Sequence, residues 1–444
     1  MRPAKPPVKL GTEPPRGMRD LLPDEVERRD ATAATILDVY RRYGFRRVET
    51  PALESIQLLT RGEGGENEKL IFKVLKRGEK LDAAKASSET DLVDLGLRFD
   101  LTVPLARYYA HNHARLPRPL KAVQIGPVWR AERPQKGRFR QFTQCDIDIL
   151  GLRSWIAEVE LILATTEALT ALGLQGLTVR INDRRILVGI ARRCRFDPAR
   201  YDSVFIALDK LEKVGWRGLT EELAAAGHAR GAISSLVGLL SPEGLGTPRL
   251  GMDEIRERLG SHMDAAAFDA LSMIIRTTGA EAAGQWRIEF DPTLVRGMSY
   301  YTGPIFEVAS SDFPSSIAGG GRYDELIGKI LGQDVPATGF SIGFERVISI
   351  LMERAGRAGA ARQRVALIFE EEKDDLVEVL AAAKGLRTDG LSVSTELRAK
   401  KLGGQLAALA GQGFDGFALF DGTERPPIRW FGDEDRPTGS PGQA

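Results

Sequence analysis

Between Ala114 and Arg140 the chain carries Arg115, Arg118, Lys121, Arg130, Arg133, Lys136, Arg138 and Arg140 against Glu132 alone, a local charge of +7. Arginine dominates, and its planar guanidinium offers paired donors that match the oxygens of a phosphate. A charge run is ordinarily a solvated face. This one lies between two strand-like runs, Ala122 to Val128 and Phe142 to Leu150, which read as an antiparallel pair joined by a basic loop. Arg130, Glu132 and Phe142 are then expected at the ends of a rigid support rather than in free loop. Two other groups could join them. Arg296-Gly297-Met298-Ser299-Tyr300-Tyr301-Thr302-Gly303 frames a cation and two phenols with glycines. In Gly319-Gly320-Gly321-Arg322-Tyr323-Asp324 the glycines either let backbone approach a ligand or make a tight turn. No GxxxxGK[ST] occurs, so any phosphate grip differs from that of a P-loop enzyme.

The rest of the chain limits the alternatives. Its 444 residues carry a net charge of +1, so a general nucleic-acid coat is excluded and any polyanion site must be local. Cys145 and Cys194 are the two cysteines, and His111, His113, His228 and His262 the four histidines. That excludes a disulfide scaffold and a zinc finger, and a metal site is left unassigned. Met1 to Pro15 has no apolar signal core, and no uncharged apolar run reaches the roughly 18 to 20 residues that cross a bilayer. A soluble, cytoplasmic protein with no membrane partner is expected.

Positioning these groups calls for a scaffold, and apolar spacing supplies its outline. Pro23 to about Tyr43 reads as a helix, Phe45 to Pro51 as a strand, and Trp286 to Phe290, Ile305 to Val308 and Ala337 to Ile342 as further strands, the last followed by a helix from Phe344 to Arg354. Residues 173–284 are rich in Ala, Leu, Arg and Glu at helical spacing and read as a helical insertion between residues 1–172 and 285–356. A small-residue linker at 355–362 leads to an alternation of strand and helix over 363–424, a small α/β domain. Residues 425–444 hold four prolines and are expected to be disordered.

The motifs resemble those of a known family. Arg-Ala-Glu at 130–132, the basic loop and Arg-Gln-Phe-Thr-Gln ending at Gln144 resemble motif 2 of class II aminoacyl-tRNA synthetases. Gly339-Phe-Ser-Ile-Gly-Phe-Glu-Arg346 resembles motif 3, and the helix and strand ending at Pro51 resemble motif 1. Gly17-Met18-Arg19-Asp20, Phe99-Asp100-Leu101-Thr102-Val103-Pro104, the segment Leu294 to Tyr301 and Ala318 to Asp324 are similar to histidyl-tRNA synthetase signatures. The resemblance implies an α+β fold: an antiparallel class II sheet flanked by helices, with a helical insertion and a C-terminal anticodon-binding α/β domain. It also implies a homodimer built through motif 1.

By the same resemblance the reaction joins histidine to tRNA(His) through histidyl-adenylate, with ATP and Mg2+ as the substrate complex. Arg130 and Arg296 are then the catalytic cations at the α-phosphate, Glu132 reads adenine, Phe142 and Arg346 sandwich the purine, and Arg138 reaches the distal phosphates. Asp100, Thr102 and Gln144 bind the amino end of histidine beside the two arginines, Leu101 belongs to the same histidine-binding set, Asp148 and Tyr301 take the ring nitrogens, and Tyr300 lines the pocket. Two other readings compete: a histidine-sensing regulatory subunit of ATP phosphoribosyltransferase, and a paralogue that passes activated histidine to another acceptor. The first is expected to lose catalytic arginines, whereas Arg130, Arg296 and Arg346 are present. The C-terminal segment departs from the family, because the tail after Glu424 stands where a last strand and helix are expected.

Overall fold

A computed structural model describes residues 11–60, 67–78, 81, 86–133, 139–241, 250–296, 300–354 and 363–432. Two compact units divide at Gly356 and Arg357. The strands in chain order are β1 (Arg46–Arg47), β2 (Leu53–Ser55), β3 (Lys73–Leu75), β4 (Val93–Leu97), β5 (Leu120–Trp129), β6 (Gln141–Leu150), β7 (Leu177–Asp183), β8 (Trp286–Phe290), β9 (Pro304–Ser310), β10 (Phe313–Arg322) and β11 (Ala337–Ile342) in the first unit, then β12 (Arg364–Phe369), β13 (Ser392–Leu397), β14 (Gly416–Leu419) and β15 (Ile428–Trp430) in the second.

The first unit is organised by an eight-stranded sheet in the order β1-β5-β6-β11-β10-β9-β7-β8. Its interior pairings are antiparallel, and the pairs at its two edges, β1 with β5 and β7 with β8, are parallel. One face is sealed by the helix Ile156–Ala171, which buries Leu161, Ile162, Thr165 and Leu169 and packs between the helices Pro23–Arg42 and Ala265–Glu281. Its Glu158 is fully buried because Arg322, at the end of β10, donates to both of its oxygens at 2.7 and 2.9 Å, so neither charge is left without a partner. Near the other face the helices Thr102–Asn112 and Asp324–Leu331 pack together over an apolar cluster of Leu105, Tyr109, Leu150, Tyr300, Tyr323 and Leu326. A small sheet in the order β2-β4-β3 precedes β5 in the chain.

The strand Leu177–Asp183, within the stretch expected to be helical, belongs to the main sheet between β9 and β8, so the helical segment begins at Arg184. Val179 and Ile181 on one face and Arg180 and Asn182 on the other are all buried, which a strand permits and an exposed helix would not. Of Phe45 to Pro51 only the two-residue strand β1 pairs with β5, its ladder ending at Val48, ahead of Pro51.

In the second unit the sheet order is β13-β12-β14-β15, with β12 parallel to β13 and β14 and with β15 antiparallel. The helices Leu376–Thr388 and Leu402–Gly411 complete it. Residues from Arg425 were expected to lack order, yet Ile428–Trp430 pairs with β14, and Trp430 lies against Gly416, where the missing Cβ makes room for the indole. The linker 355–362 and residues 433–444 lie outside the described residues.

Candidate active site

Register alone assembles the floor of the site. Gln124 on β5 pairs with Asp146 on β6, Asp146 with Ser341 on β11, Ser341 with Gly319 on β10, Gly319 with Glu307 on β9, and Glu307 with Arg180 on β7. Side chains alternate along a strand, so one polar row crosses six strands on one face. Two residues further along lies a parallel row of Asp148, Gly339 and Gly321. Above these rows opens a cleft of about 500 Å³, lined among others by Asp100, Thr102, Arg130, Glu132, Phe142 and Gln144 and by Asp148, Arg296, Tyr300, Tyr301 and Arg346.

The structure therefore brings together the candidate residues from all the separated motifs, with two exceptions. Leu101 is 1% exposed and packs in the core, and its carbonyl accepts a hydrogen bond from Gln124 Nε2 at 3.1 Å. Arg138 lies outside the described residues.

The cleft holds a set of buried acceptors. Asp100 Oδ2, Gln144 Oε1, Asp146 Oδ1 and Asp148 Oδ2 are buried without a hydrogen-bond partner among the described residues. Burial raises the Asp148 carboxyl to about 7, with the Asp100 charge adding to it and the Tyr323 hydrogen bond opposing it. Burial likewise lifts Asp100 to about 6 against the Val103 amide and Arg130. Asp146 is pushed well above the usual carboxylate range, by burial first and the Asp148 charge second. Leaving such oxygens unpaired is costly, so a ligand bearing several N–H donors is their complement. Tyr323 Oη donates to Asp148 Oδ1 at 2.6 Å, which fixes the carboxylate and leaves Oδ2 for that ligand. Tyr300 stands edge-on to both Tyr301 and Tyr323, with ring centroids 4.9 and 5.8 Å apart, and the three rings form an aromatic wall.

The same cleft carries guanidinium groups on fixed mounts. Arg130, one residue past β5, donates from Nε to the Phe99 carbonyl at 3.0 Å and lies 5.1 Å from the Phe142 ring centroid. Arg346 donates to the Ser316 carbonyl. Arg296 lies directly over Gly319, where a Cβ would collide with its guanidinium. A Cβ on Gly339 would strike Asp148, and one on Gly321 would come within 2.9 Å of the Tyr301 ring. The glycine run is thus interior to β10, giving space to functional side chains rather than making a turn. Gly319→Ala is expected to slow the chemical step about tenfold by displacing Arg296, with substrate KM little changed, as steady-state kinetics would record.

Several residues of the site have no role assigned from the sequence, although Ser341 and Glu345 fall within the motif 3 segment and Tyr323 within the glycine segment. Glu345 accepts both Nη groups of Arg29 at 2.7 Å and the Thr143 amide at 2.9 Å, tying the last helix of the unit to the first and to the start of β6. Burial opposes ionisation of Glu345, and these bonds outweigh it and hold its pKa below the usual value. Asp146, Ser341, Glu307, Tyr323 and Asp209 also belong to the site or its support. Among the described residues no group of three or more His, Cys, Asp or Glu is placed to hold a metal ion, and no helix is long and apolar enough to cross a membrane.

A sequence profile described as histidyl-tRNA synthetase matches residues 17–347. The histidine–tRNA ligase of Leifsonia xyli subsp. xyli (strain CTCB07) is 46% identical over 414 residues, covering 92% of this chain and 95% of its own. A probable histidine–tRNA ligase of Tropheryma whipplei (strain Twist) is 39% identical over 419 residues, or 93% and 96% of the two chains. Among solved structures, the histidyl-tRNA synthetase from Nostoc sp. PCC 7120 superposes with a TM-score of 0.74 at 28% identity, covering 92% of this chain and 91% of that one. The sheet and its flanking helices are accordingly the class II aminoacyl-tRNA synthetase fold. Within that class the chain belongs to the histidyl-tRNA synthetase family.

Proposed function

We propose that this chain is a histidine–tRNA ligase that activates histidine with ATP and transfers it to tRNA(His). The observation that carries the reading is one cleft lined both by unpaired buried acceptors and by guanidinium groups on fixed mounts. Histidine matches the acceptors, because its ammonium group and imidazole supply N–H donors. Asp100, Thr102 and Gln144 receive the ammonium, Asp148 takes one ring nitrogen, Tyr301 donates to the other, and Tyr300 lines the pocket. The histidine carboxylate oxygen then attacks the α-phosphorus in line and pyrophosphate departs. Negative charge builds on the non-bridging oxygens, where Arg130 and Arg296 receive it without having to reorient. Glu132 reads the adenine edge, Phe142 and Arg346 hold the purine between them, and Arg138 extends to the distal phosphates. In the second step the terminal ribose hydroxyl of tRNA attacks the acyl carbon and AMP leaves.

Mg2+ arrives on the phosphates of ATP as part of the substrate. Residues 363–424, with β15, serve as the anticodon-binding unit, and Leu22, Val26 and Leu53, exposed apolar residues in or beside the motif 1 segment, support a homodimer. The enzyme works in the cytoplasm. Two assays on the purified protein test the reading: histidine-dependent exchange of pyrophosphate into ATP, and charging of the cell's tRNA pool with labelled histidine. Both are expected to be positive. Histidine binding without exchange would point to the regulatory subunit, and exchange without charging to the paralogue with another acceptor.

A further inference from the structure

The cation Arg296 is held from behind. Its Nη1 donates at 3.0 Å to Glu307 Oε2, a carboxylate only 6% exposed in the middle of β9. The other oxygen, Oε1, accepts from Arg180 Nη2 on the neighbouring strand, directly opposite in the β7–β9 register. Arg180 in turn reaches from Nη1 to Glu212, in the helix Leu211–Ala225 of the segment between β7 and β8, and lies 3.6 Å from Asp291 just past β8. Glu307 is also the register partner of Gly319, the glycine over which the Arg296 guanidinium lies. One buried carboxylate therefore sets the position of Arg296 from one side while being clamped by a second arginine that also reaches Glu212 in the helical segment and Asp291 past β8. Asp209, at the end of the preceding helix Tyr201–Asp209, lines the same cleft, so this segment closes against the site at more than one point.

We propose that Glu307 is a positioning residue for Arg296, and that its bridge through Arg180 to Glu212 couples the aim of Arg296 at the α-phosphate to the seating of the helical segment 184–281. The inference rests on the role assigned to Arg296 above. A guanidinium with one bidentate face must be presented edge-on to the phosphate oxygens, and a single fixed carboxylate behind it removes the rotation that would spoil that alignment. The clamp by Arg180 fixes Glu307 in turn, since a carboxylate bonded through both oxygens cannot follow Arg296 to another orientation. Glu212 lies on the short turn that precedes the kink at Gly215, and displacing that turn would remove Glu212 from Arg180 and loosen the chain of contacts at its far end.

The test is steady-state pyrophosphate exchange on the full-length protein with Glu307→Gln, Arg296→Ala, the double variant and Glu212→Gln, each compared with wild type. Glu307→Gln is expected to lower kcat on the order of tenfold with histidine KM within about twofold. On the Arg296→Ala background the same change is expected to have little further effect, because it acts through the absent side chain. Glu212 is largely exposed, so Glu212→Gln keeps the fold and probes the outer link. It is expected to lower kcat about threefold, again only where Arg296 is present. If the effect of Glu307→Gln adds in full to that of Arg296→Ala, or kcat is unchanged in both glutamate variants, the proposal is overturned. If Glu307→Gln does not fold, Glu212→Gln alone decides. Absence of exchange in the wild type would instead overturn the functional reading.

Discussion

Arg296→Ala is expected to lower the rate of histidine-dependent pyrophosphate exchange by roughly 10² to 10³, equivalent to about 2.7 to 4 kcal/mol of transition-state stabilisation, while histidine KM changes by only a few-fold. The expectation follows from where the charge moves. Bound ATP already presents negative oxygens, but their charge and geometry at the α-phosphorus change only as the carboxylate attacks, so a cation fixed at that point stabilises the transition state more than the ground state. Arg296 has the required fixity, lying over Gly319 and bonded to Glu307. Arg296→Lys should recover only part of the rate, since an ammonium cannot both keep the Glu307 contact and present a planar pair of donors. Single-turnover measurement of adenylate formation checks both variants. A normal rate in Arg296→Ala would remove the residue from the chemistry and leave Arg130 as the main cation of the step.

Local pattern and non-local pairing divide what the sequence reveals. The helix Phe344–Arg354 and the hairpin of β5 and β6 are legible because apolar periodicity decides them within about ten residues. Arg130, Arg296 and Tyr301 stand out by type and neighbours, Asp148 is singled out only by the family resemblance, and the fold places all four on one cleft. Leu177–Asp183 is obscured by the Ala- and Leu-rich segment that follows it, although Leu177, Val179 and Ile181 alternate as in a strand and pairing with β8 and β9 selects that form. The strand Ile428–Trp430 is hidden for a similar reason: its flanking prolines suggest disorder, and β14 supplies the partner that overrides them. Glu307 reads as one more alternating residue of an apolar strand, and its role exists only because register places it between Arg180 and Gly319. Tyr323 looks like the tail of a glycine turn until its hydroxyl is found on Asp148.

That last contact leads to the second large effect, which lies in substrate recognition. Asp148→Asn keeps the volume and an oxygen for Tyr323 but removes the negative charge, and kcat/KM for histidine is expected to fall on the order of 10²-fold with ATP KM unchanged. The pH dependence should change with it. In the free protein burial holds the Asp148 carboxyl at about 7, above the usual carboxylate value. The folded chain then keeps a proton that the unfolded chain has released, so this group's contribution to stability declines as pH rises from about 4 to 7 and stays lost above. Histidine reverses the balance, because its N–H donors favour the ionised carboxylate that is otherwise poorly solvated. Below about pH 7 binding must first expel the proton from Asp148, and above it the carboxylate is already available, so affinity should weaken on acidification. The rise in Tm produced by saturating histidine is accordingly expected to be larger at about pH 8 than at about pH 6 in the wild type, with much of that difference gone in Asp148→Asn. Asp100, held at about 6, keeps a smaller slope at lower pH in both proteins. Thermal melts with and without histidine across this range decide the matter: the ligand's own imidazole titrates near ~6.5 against both proteins, so a difference between wild type and Asp148→Asn that does not change with pH would mean that Asp148 does not meet the ligand as a carboxylate.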